Sequence, residues 1–441
     1  MCFSAKANNP KIKNLIGESM NKLFALFVTA LCIVNIYGQT EIIKLSLNEA
    51  IEIGLKNNPE VKSAIENISA AKGRFWSGIS LPQPEVSGSY EYVPTNSSLS
   101  NYSERTFEVS QSLEFPTNYF LKGSKFSKEE EIAVYRLNLT ERSVVNQVKT
   151  SYYKVLTKQY QIKSAEENLS ISEDFFRKAE IRQNVGEGTN LEKLTAKVQF
   201  TEARNNLEVA KNELTTAFAE LNYAIGFGKQ NYNSDFGLTD SMIFSDHEIS
   251  LEEIYDKFEE TNLQIKIAEL NYGITSLDKS LAWSSLLPNL NLAYFKQSRD
   301  GDNGFYGASF GISVPLWFIF DQRGKIQEAS ANQSKSESEL QLIKNEIALR
   351  LKSSFIDHEN NLKQVRLYVN EILPQAEEIY RTAIKTYETG ELTYLEYLQA
   401  KQTLISSRNN YINALFNHYQ SVFRIEEIIG QNIIDKSESE K

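Results

Sequence analysis

Apolar and polar positions alternate in four short stretches of this chain and recur at helical spacing through most of the rest. Val86, Gly88, Tyr90 and Tyr92 alternate with Ser87, Ser89 and Glu91, while Phe107, Val109, Leu113 and Phe115 alternate with Thr106, Glu108, Ser110, Ser112 and Glu114. The same period returns in Leu290, Leu292 and Tyr294, and in Tyr306, Ala308, Phe310, Ile312 and Val314 with Gly307, Ser309, Gly311 and Ser313 between them. A period of two with one apolar face predicts half-covered strands. Segments 94–104 and 298–304 are rich in Ser, Asn, Asp and Gly, as exposed turns are, so the strands form two hairpins.

Prolines are excluded from helix interiors and therefore bound the helices. None occurs from Ser127 to Asn184, and ~58 residues at 1.5 Å each give roughly 87 Å of helix, too long for an ordinary globular core. A returning helix from about Asn190 to Ala224 carries Leu207, Ala210, Leu214, Ala217, Leu221 and Ala224 at alternating three- and four-residue spacing, a coiled-coil seam. Tyr411, Ala414, His418, Ser421, Ile425 and Ile428 form its counterpart, after a second long helix from about Gly324 to Glu388 that Pro374 is expected to kink.

These parallels are a duplication. Gly390 follows Gly186 by 204 residues, and the same offset links Leu47 and Glu49 to Leu251 and Glu253, Asn58 to Asn262, Pro84 to Pro288, Tyr90 to Tyr294, and Arg204-Asn205-Asn206 to Arg408-Asn409-Asn410. A shared offset over this span means two copies of one structural unit. The expected organisation is a first repeat over 39–233, a linker over 234–248, a second repeat over 249–430 and a polar tail over 431–441.

Residues 1–38 read as a secretory signal: Lys22 precedes the apolar run Leu23 to Val34, and small and polar residues follow. Met20 is an alternative start. Both cysteines, Cys2 and Cys32, lie in this segment. Cys32 follows Thr29-Ala30-Leu31, a poor lipid-attachment context, so simple cleavage is favoured and the mature chain lacks thiol chemistry. The net charge of −10 argues against a nucleic-acid partner.

Enzymatic chemistry finds little support. His247, His358 and His418 are scattered, and His418 occupies a seam position better suited to packing. Asp300, Asp302 and Gly304 lack the later bidentate glutamate of a calcium loop. No phosphate-cradling loop or nucleophile elbow occurs. Neither enzyme, metal site nor cofactor is expected.

Four strands cannot hide both sheet edges. Exported strands with one apolar face suit an outer-membrane barrel, and four are too few to close one, so several chains must share it. Glu91 and Glu108 would then face the lumen, and Trp76, Tyr119, Phe120, Trp317, Phe318 and Phe320 would be interfacial anchors.

With Leu47-Asn48-Glu49-Ala50, Asn57-Asn58-Pro59, Phe115-Pro116, Val314-Pro315-Leu316 and two glycine tips in this order, the chain resembles the TolC-type outer-membrane efflux proteins over nearly all its mature length. The resemblance implies an α+β membrane protein: a homotrimer whose twelve-stranded outer-membrane β-barrel continues into a long periplasmic α-helical barrel. It also implies outer-membrane lipid as surroundings, a periplasmic adaptor and an inner-membrane pump as partners, and a passive exit duct for efflux or type I secretion. Alignment on the tip glycines places gate residues at Tyr387 and Glu192, expected to bond, and at Glu396, with Gln399 and Leu392 replacing a second acidic and a basic gate residue. Gly186, Glu187, Thr189, Gly390, Glu391 and Thr393 would be the adaptor-docking tips, although turning the chain and capping the helices also accounts for them. Glu396 likewise reads either as one member of an acidic ring or as a helix-start glutamate. The competing reading is a secreted coiled-coil structural or binding protein without channel activity.

Overall fold

The computed structural model describes residues 44–227, 237–244, 246, 258–259, 261–316, 320–389 and 391–431. In chain order the first elements are β1 (Lys44–Leu45), α1 (Leu47–Asn57), α2 (Pro59–Ile79), β2 (Glu85–Glu91), β3 (Glu104–Leu113), α3 (Pro116–Asn184) and α4 (Asn190–Ala224). They are followed by β4 (Gly237–Leu238), α5 (Leu263–Ser284), β5 (Asn289–Arg299), β6 (Asp302–Ser313) and α6 (Asp321–Leu367). A π-turn (Tyr368–Ile372), α7 (Leu373–Glu388) and α8 (Tyr394–Ile429) complete the order. The described residues divide into two units, one being the parallel pair β1 and β4 and the other the remainder.

Helix starts follow from local chemistry. The Ser46 hydroxyl accepts from the Glu49 N–H at 3.3 Å while the Glu49 carboxylate accepts from the Ser46 N–H at 2.8 Å, a reciprocal cap that opens α1. Helix α3 starts at Pro116 rather than the expected Ser127, because a proline at the first helical position forgoes only an N–H that has no helical acceptor. Its 69 residues give about 100 Å of helix. Pro374 is accommodated differently from the expected kink alone: the π-turn lies just before it, and the Leu373 N–H reaches back five residues to the Tyr368 carbonyl. One wide turn absorbs the lost helical bond.

The duplication extends to single hydrogen bonds. Asn58 caps α2, and its buried side-chain amide donates to the Ala224 carbonyl at 3.1 Å; Asn262 caps α5 and donates to the Ile428 carbonyl at 3.1 Å. Gly226 and Gly430, also 204 residues apart, end α4 and α8 at φ of 79° and 71°. A Cβ on Gly226 would lie 2.7 Å from the backbone of Asn57 and Asn58, so only glycine fits there.

One antiparallel sheet joins the two halves in the order β2-β3-β5-β6. Its register puts Val86, Val109, Tyr294 and Ala308 in one row, with Phe107 and Tyr306 on one side of that row and Leu292 and Phe310 on the other. The opposite face carries Ser87, Ser89, Glu108, Ser110, Asn291 and Ser309. Strands β5 and β6 run longer than expected, because their turn is only Asp300-Gly301, both at positive φ. Asp-Gly is the sequence a tight primed turn requires.

Tyr152, Val148, Leu221, Leu415 and Phe423 are fully buried. In the second repeat the seam turns polar: His358 and His418 are buried with ring centroids 5.2 Å apart, and His358 Nδ1 lies 3.3 Å from the Ser421 hydroxyl. Burial holds the His358 imidazole below its ordinary pKa of 6.5, against a smaller opposing pull from Glu359. The folded chain therefore resists a proton that the unfolded chain accepts, so this contribution is present above pH 6.5 and is lost as the pH falls below it. The thermal-unfolding midpoint of the detergent-solubilised protein should drop between pH 7.5 and pH 5.5, and less steeply after His358→Gln. Equal slopes for the two proteins would place the sensitivity elsewhere.

Candidate functional site

The two helical tips are built alike. In the first, Gly186 at φ 82° reverses the chain, and the N–H groups of Glu187 and Gly188 both donate to the Arg182 carbonyl, at 2.9 and 3.0 Å. In the second, the N–H groups of Glu391 and Leu392 both donate to the Thr386 carbonyl, at 3.0 and 3.2 Å. Gly390 lies outside the described residues. Thr189 caps α4 by accepting from the Glu192 N–H at 3.1 Å, and Thr393 caps α8 in a reciprocal pair with Glu396. Glu187, Thr189, Glu391 and Thr393 are exposed at these ends. Hydrogen bonds from the Thr393 hydroxyl and N–H hold the Glu396 carboxyl below the usual range. Glu396 is thus a capping carboxylate, with its second oxygen left to solvent or a neighbour.

The expected Tyr387–Glu192 bond is not formed within the chain, because each side chain is engaged elsewhere. Glu192 pairs with Arg182 across its own turn at 3.3 Å, beside the Lys193–Glu180 pair at 3.0 Å. Tyr387 stacks on Tyr397, centroids 5.2 Å apart and 23° between planes, and also meets Tyr394 at 5.6 Å. Tyr380 adds a hydroxyl 3.5 Å from that of Tyr397.

Tyr394 carries this aromatic group onto the other hairpin. Its ring lies 5.0 Å from Phe175, with the Lys178 ammonium 5.2 Å from its centroid, and its hydroxyl donates to Asp174 at 3.5 Å. Phe175, Ala179 and Ala196 form the buried core beneath, with Tyr394 and Leu398 packed on it. Lys178 is the main reason that the Asp174 carboxyl sits below its usual range, and burial raises the Tyr394 and Tyr397 phenols above theirs. Tyr394 and Tyr397 therefore stay neutral. Sequence reading missed this group although its spacing is visible: Tyr380 and Tyr387 are one heptad apart on α7, and Tyr394 and Tyr397 are three residues apart on α8.

Gln399 is exposed and lines a groove of about 470 Å³ with Asn168, Ser172, Gln199, Asn206 and Leu395. Leu392, half-buried, ends the second turn. At the sheet, Glu91 faces Glu104 across the ladder, and Glu108 lies between Ser87 and Phe295, all on the polar face. Two carboxylates directly opposite each other are tolerable only where water or cations screen them. Of the expected anchors, Trp76, Phe120 and Phe320 are exposed, Tyr119 is half-buried, and Trp317 and Phe318 lie outside the described residues. Among the described residues no group of three or more His, Cys, Asp or Glu is placed to hold a metal, and no helix is long and apolar enough to cross a membrane.

Comparison with known proteins agrees with this architecture. The family described as outer membrane efflux protein matches residues 50–227 and 254–431, one match for each half. The cobalt-zinc-cadmium resistance protein CzcC of Cupriavidus metallidurans is 21% identical over 392 residues, covering 88% of this chain and 90% of that protein. The outer membrane protein TolC of Vibrio cholerae is 21% identical over 445 residues, covering 94% and 98%. The crystal structure of the CmeC outer membrane channel of Campylobacter jejuni shares the fold with a TM-score of 0.75 at 15% identity, covering 90% of this chain and 89% of that one.

Proposed function

We propose that this chain, which belongs to the outer membrane efflux protein family, is the passive exit duct of a tripartite efflux or type I secretion assembly. Its place is the outer membrane, with a large helical portion in the periplasm. One observation carries the reading: the four-stranded sheet has one apolar face and leaves the outer edges of β2 and β6 without a strand partner among the described residues. Bare edges in lipid carry unsatisfied N–H and C=O groups, and only closure removes them. Three copies joined β6 to β2 close a twelve-stranded barrel with the apolar face outward and Glu91 and Glu108 inward. The duct does no chemistry, and a pump coupled through a periplasmic adaptor at the tips drives the cargo.

Disulfide scanning across that seam tests the reading. Ser87→Cys on β2, combined in turn with Ser309→Cys, Gly311→Cys and Ser313→Cys on β6, pairs positions on the same polar face. At least one combination should give covalent trimers on non-reducing gels. Exclusively intramolecular bonds would mean that one chain closes on itself.

The tips are the gate in this reading, and Glu187, Thr189, Glu391 and Thr393 with both glycines present the adaptor-docking ends. Glu192, Tyr387, Leu392, Glu396 and Gln399 would surround the entrance, with Tyr394 on Phe175 and Asp174 as a tie between hairpins near the tips. Tyr394→Ala should raise single-channel conductance severalfold. The combination Tyr387→Phe with Glu192→Gln should leave it unchanged; the reverse ranking would restore the latch expected from the sequence.

A further inference from the structure

Charge is sorted between the two faces of the sheet. The polar face carries Glu85, Glu91, Glu104 and Glu108 together with Arg299 and its pair Asp302, whereas the paired positions of the apolar face carry only Arg105 and Lys296, and no carboxylate. Both cations lie toward the hairpin turns. Arg105 is the second residue of β3 and stands in the row with Tyr90 and Ser298; Lys296 stands one row in, with Phe107 and Tyr306. Same-face positions offset by two residues on neighbouring strands lie roughly 7–8 Å apart, close enough for one anionic group to reach both.

Neither cation has an ion-pair partner among the described residues. The Arg105 guanidinium instead lies 5.5 Å from the Tyr102 ring centroid and 5.3 Å from that of Phe107, and its Nε is buried without a hydrogen-bond partner. Two ring centroids within cation–π range attract the guanidinium. Away from the turns the same face is Val86, Val109, Tyr294, Leu292, Phe310 and Ile312, half or more exposed in several cases. A cation is costly at the midplane of a bilayer but not at its surface, so these two belong at headgroup depth, above a surface suited to acyl chains.

We propose that Arg105 and Lys296 form a binding site for the phosphate of an anionic outer-leaflet lipid, whose acyl chains lie along Val109, Tyr294 and Phe310. This rests on the reading of the apolar face as membrane-facing. The lipid would occupy the face as a bound ligand, one per chain, and not only as bulk solvent. Charge complementarity selects it: the chain as a whole is acidic, yet at this rim the paired positions of the apolar face offer two cations and no carboxylate, the carboxylates of the adjacent rows standing on the opposite face.

The test uses the purified full-length protein in phosphatidylcholine nanodiscs doped with diphosphorylated lipid A, with retained lipid counted by native mass spectrometry after mild extraction. The wild type should retain about one phosphorylated lipid per chain, and Arg105→Gln with Lys296→Gln should weaken that retention about 30-fold, the factor for two surface cations at about 1 kcal/mol each. Arg105→Lys, which keeps the charge, should lose far less. Unchanged circular dichroism and conductance would confirm that the double variant is folded. Equal retention by wild type and double variant, or of dephosphorylated lipid A, overturns the site. Full displacement by 10 mM inorganic phosphate would make it a free-anion site and overturn the lipid assignment. If no lipid of either kind stays with either protein, the membrane-facing reading falls, and this inference with it.

Discussion

Arginine in place of Val109 should abolish the heat-resistant trimer, whereas arginine in place of its neighbour Ser110 should leave it intact. The two positions are adjacent on β3, yet the register puts Val109 in the apolar row with Val86, Tyr294 and Ala308, and Ser110 on the polar face with Glu85 and Ala293. Val109 is 48% exposed in the single chain, so no protein core explains its apolar character. Arginine at the midplane on a lipid face costs about 2–4 kcal/mol per chain. In the proposed three-chain barrel that makes roughly 6–12 kcal/mol, comparable to the whole stability of an ordinary domain. Ser110 would face the lumen of that barrel, where water lowers the cost of a charge. The ratio of trimer to monomer on unheated gels reads the difference, and equal tolerance at both positions would remove the case for a lipid-facing side.

Removing one partner of the Lys149–Glu426 pair should destabilise the protein by about 3–5 kcal/mol, while replacing both should restore most of the loss. The ammonium and carboxylate are 2.8 Å apart, with side chains only 8% and 6% exposed, and the ammonium lies 5.5 Å from the Phe423 ring centroid. Lys149→Met removes the ammonium 2.8 Å from a buried carboxylate, whereas Lys149→Met with Glu426→Leu removes both charges. By contrast Lys154–Glu220, with side chains 35% and 45% exposed, should lose no more than about 1 kcal/mol when broken. Urea midpoints in detergent for the single and double variants measure the coupling. A double variant as unstable as either single one would mean that the site is held by shape and not by charge.

That pair also shows where the repeat departs from symmetry, since 204 residues away from Lys149 and Glu426 stand Ser353 and Asn222. Sequence periodicity revealed what repeats: the four strands, the extent of α4, the turn at Gly186 and the capping threonines. It was weaker where one local rule competes with another. Pro116 reads as a break but serves as a first helical residue. Pro374 reads as a kink but sits behind a π-turn. The close strand ends at Asp300-Gly301 were hidden in a polar stretch that looked like a longer loop. Gly226 and Gly430 obey the offset and could have been found by extending it.

At the tips, the backbone was legible and the side-chain partners were not. Capping by Thr189 and Thr393 depends only on residues three apart, so local sequence suffices. The partner of Glu192 depends on which cation is nearest after the chain turns, and Arg182 wins that competition. The aromatic tie through Tyr394 joins residues 219 apart in sequence, Phe175 and Tyr394, which no local pattern announces.

In the proposed assembly this chain is one third of a closed, water-filled duct. Single-channel conductance of the detergent-purified protein in a planar bilayer, recorded with the mass of the conducting species, decides whether such a duct forms. A trimer giving small, cation-preferring steps that grow when Tyr394→Ala loosens the tips is the predicted result. A monomer, or a trimer that stays silent even with the tips loosened, would contradict it.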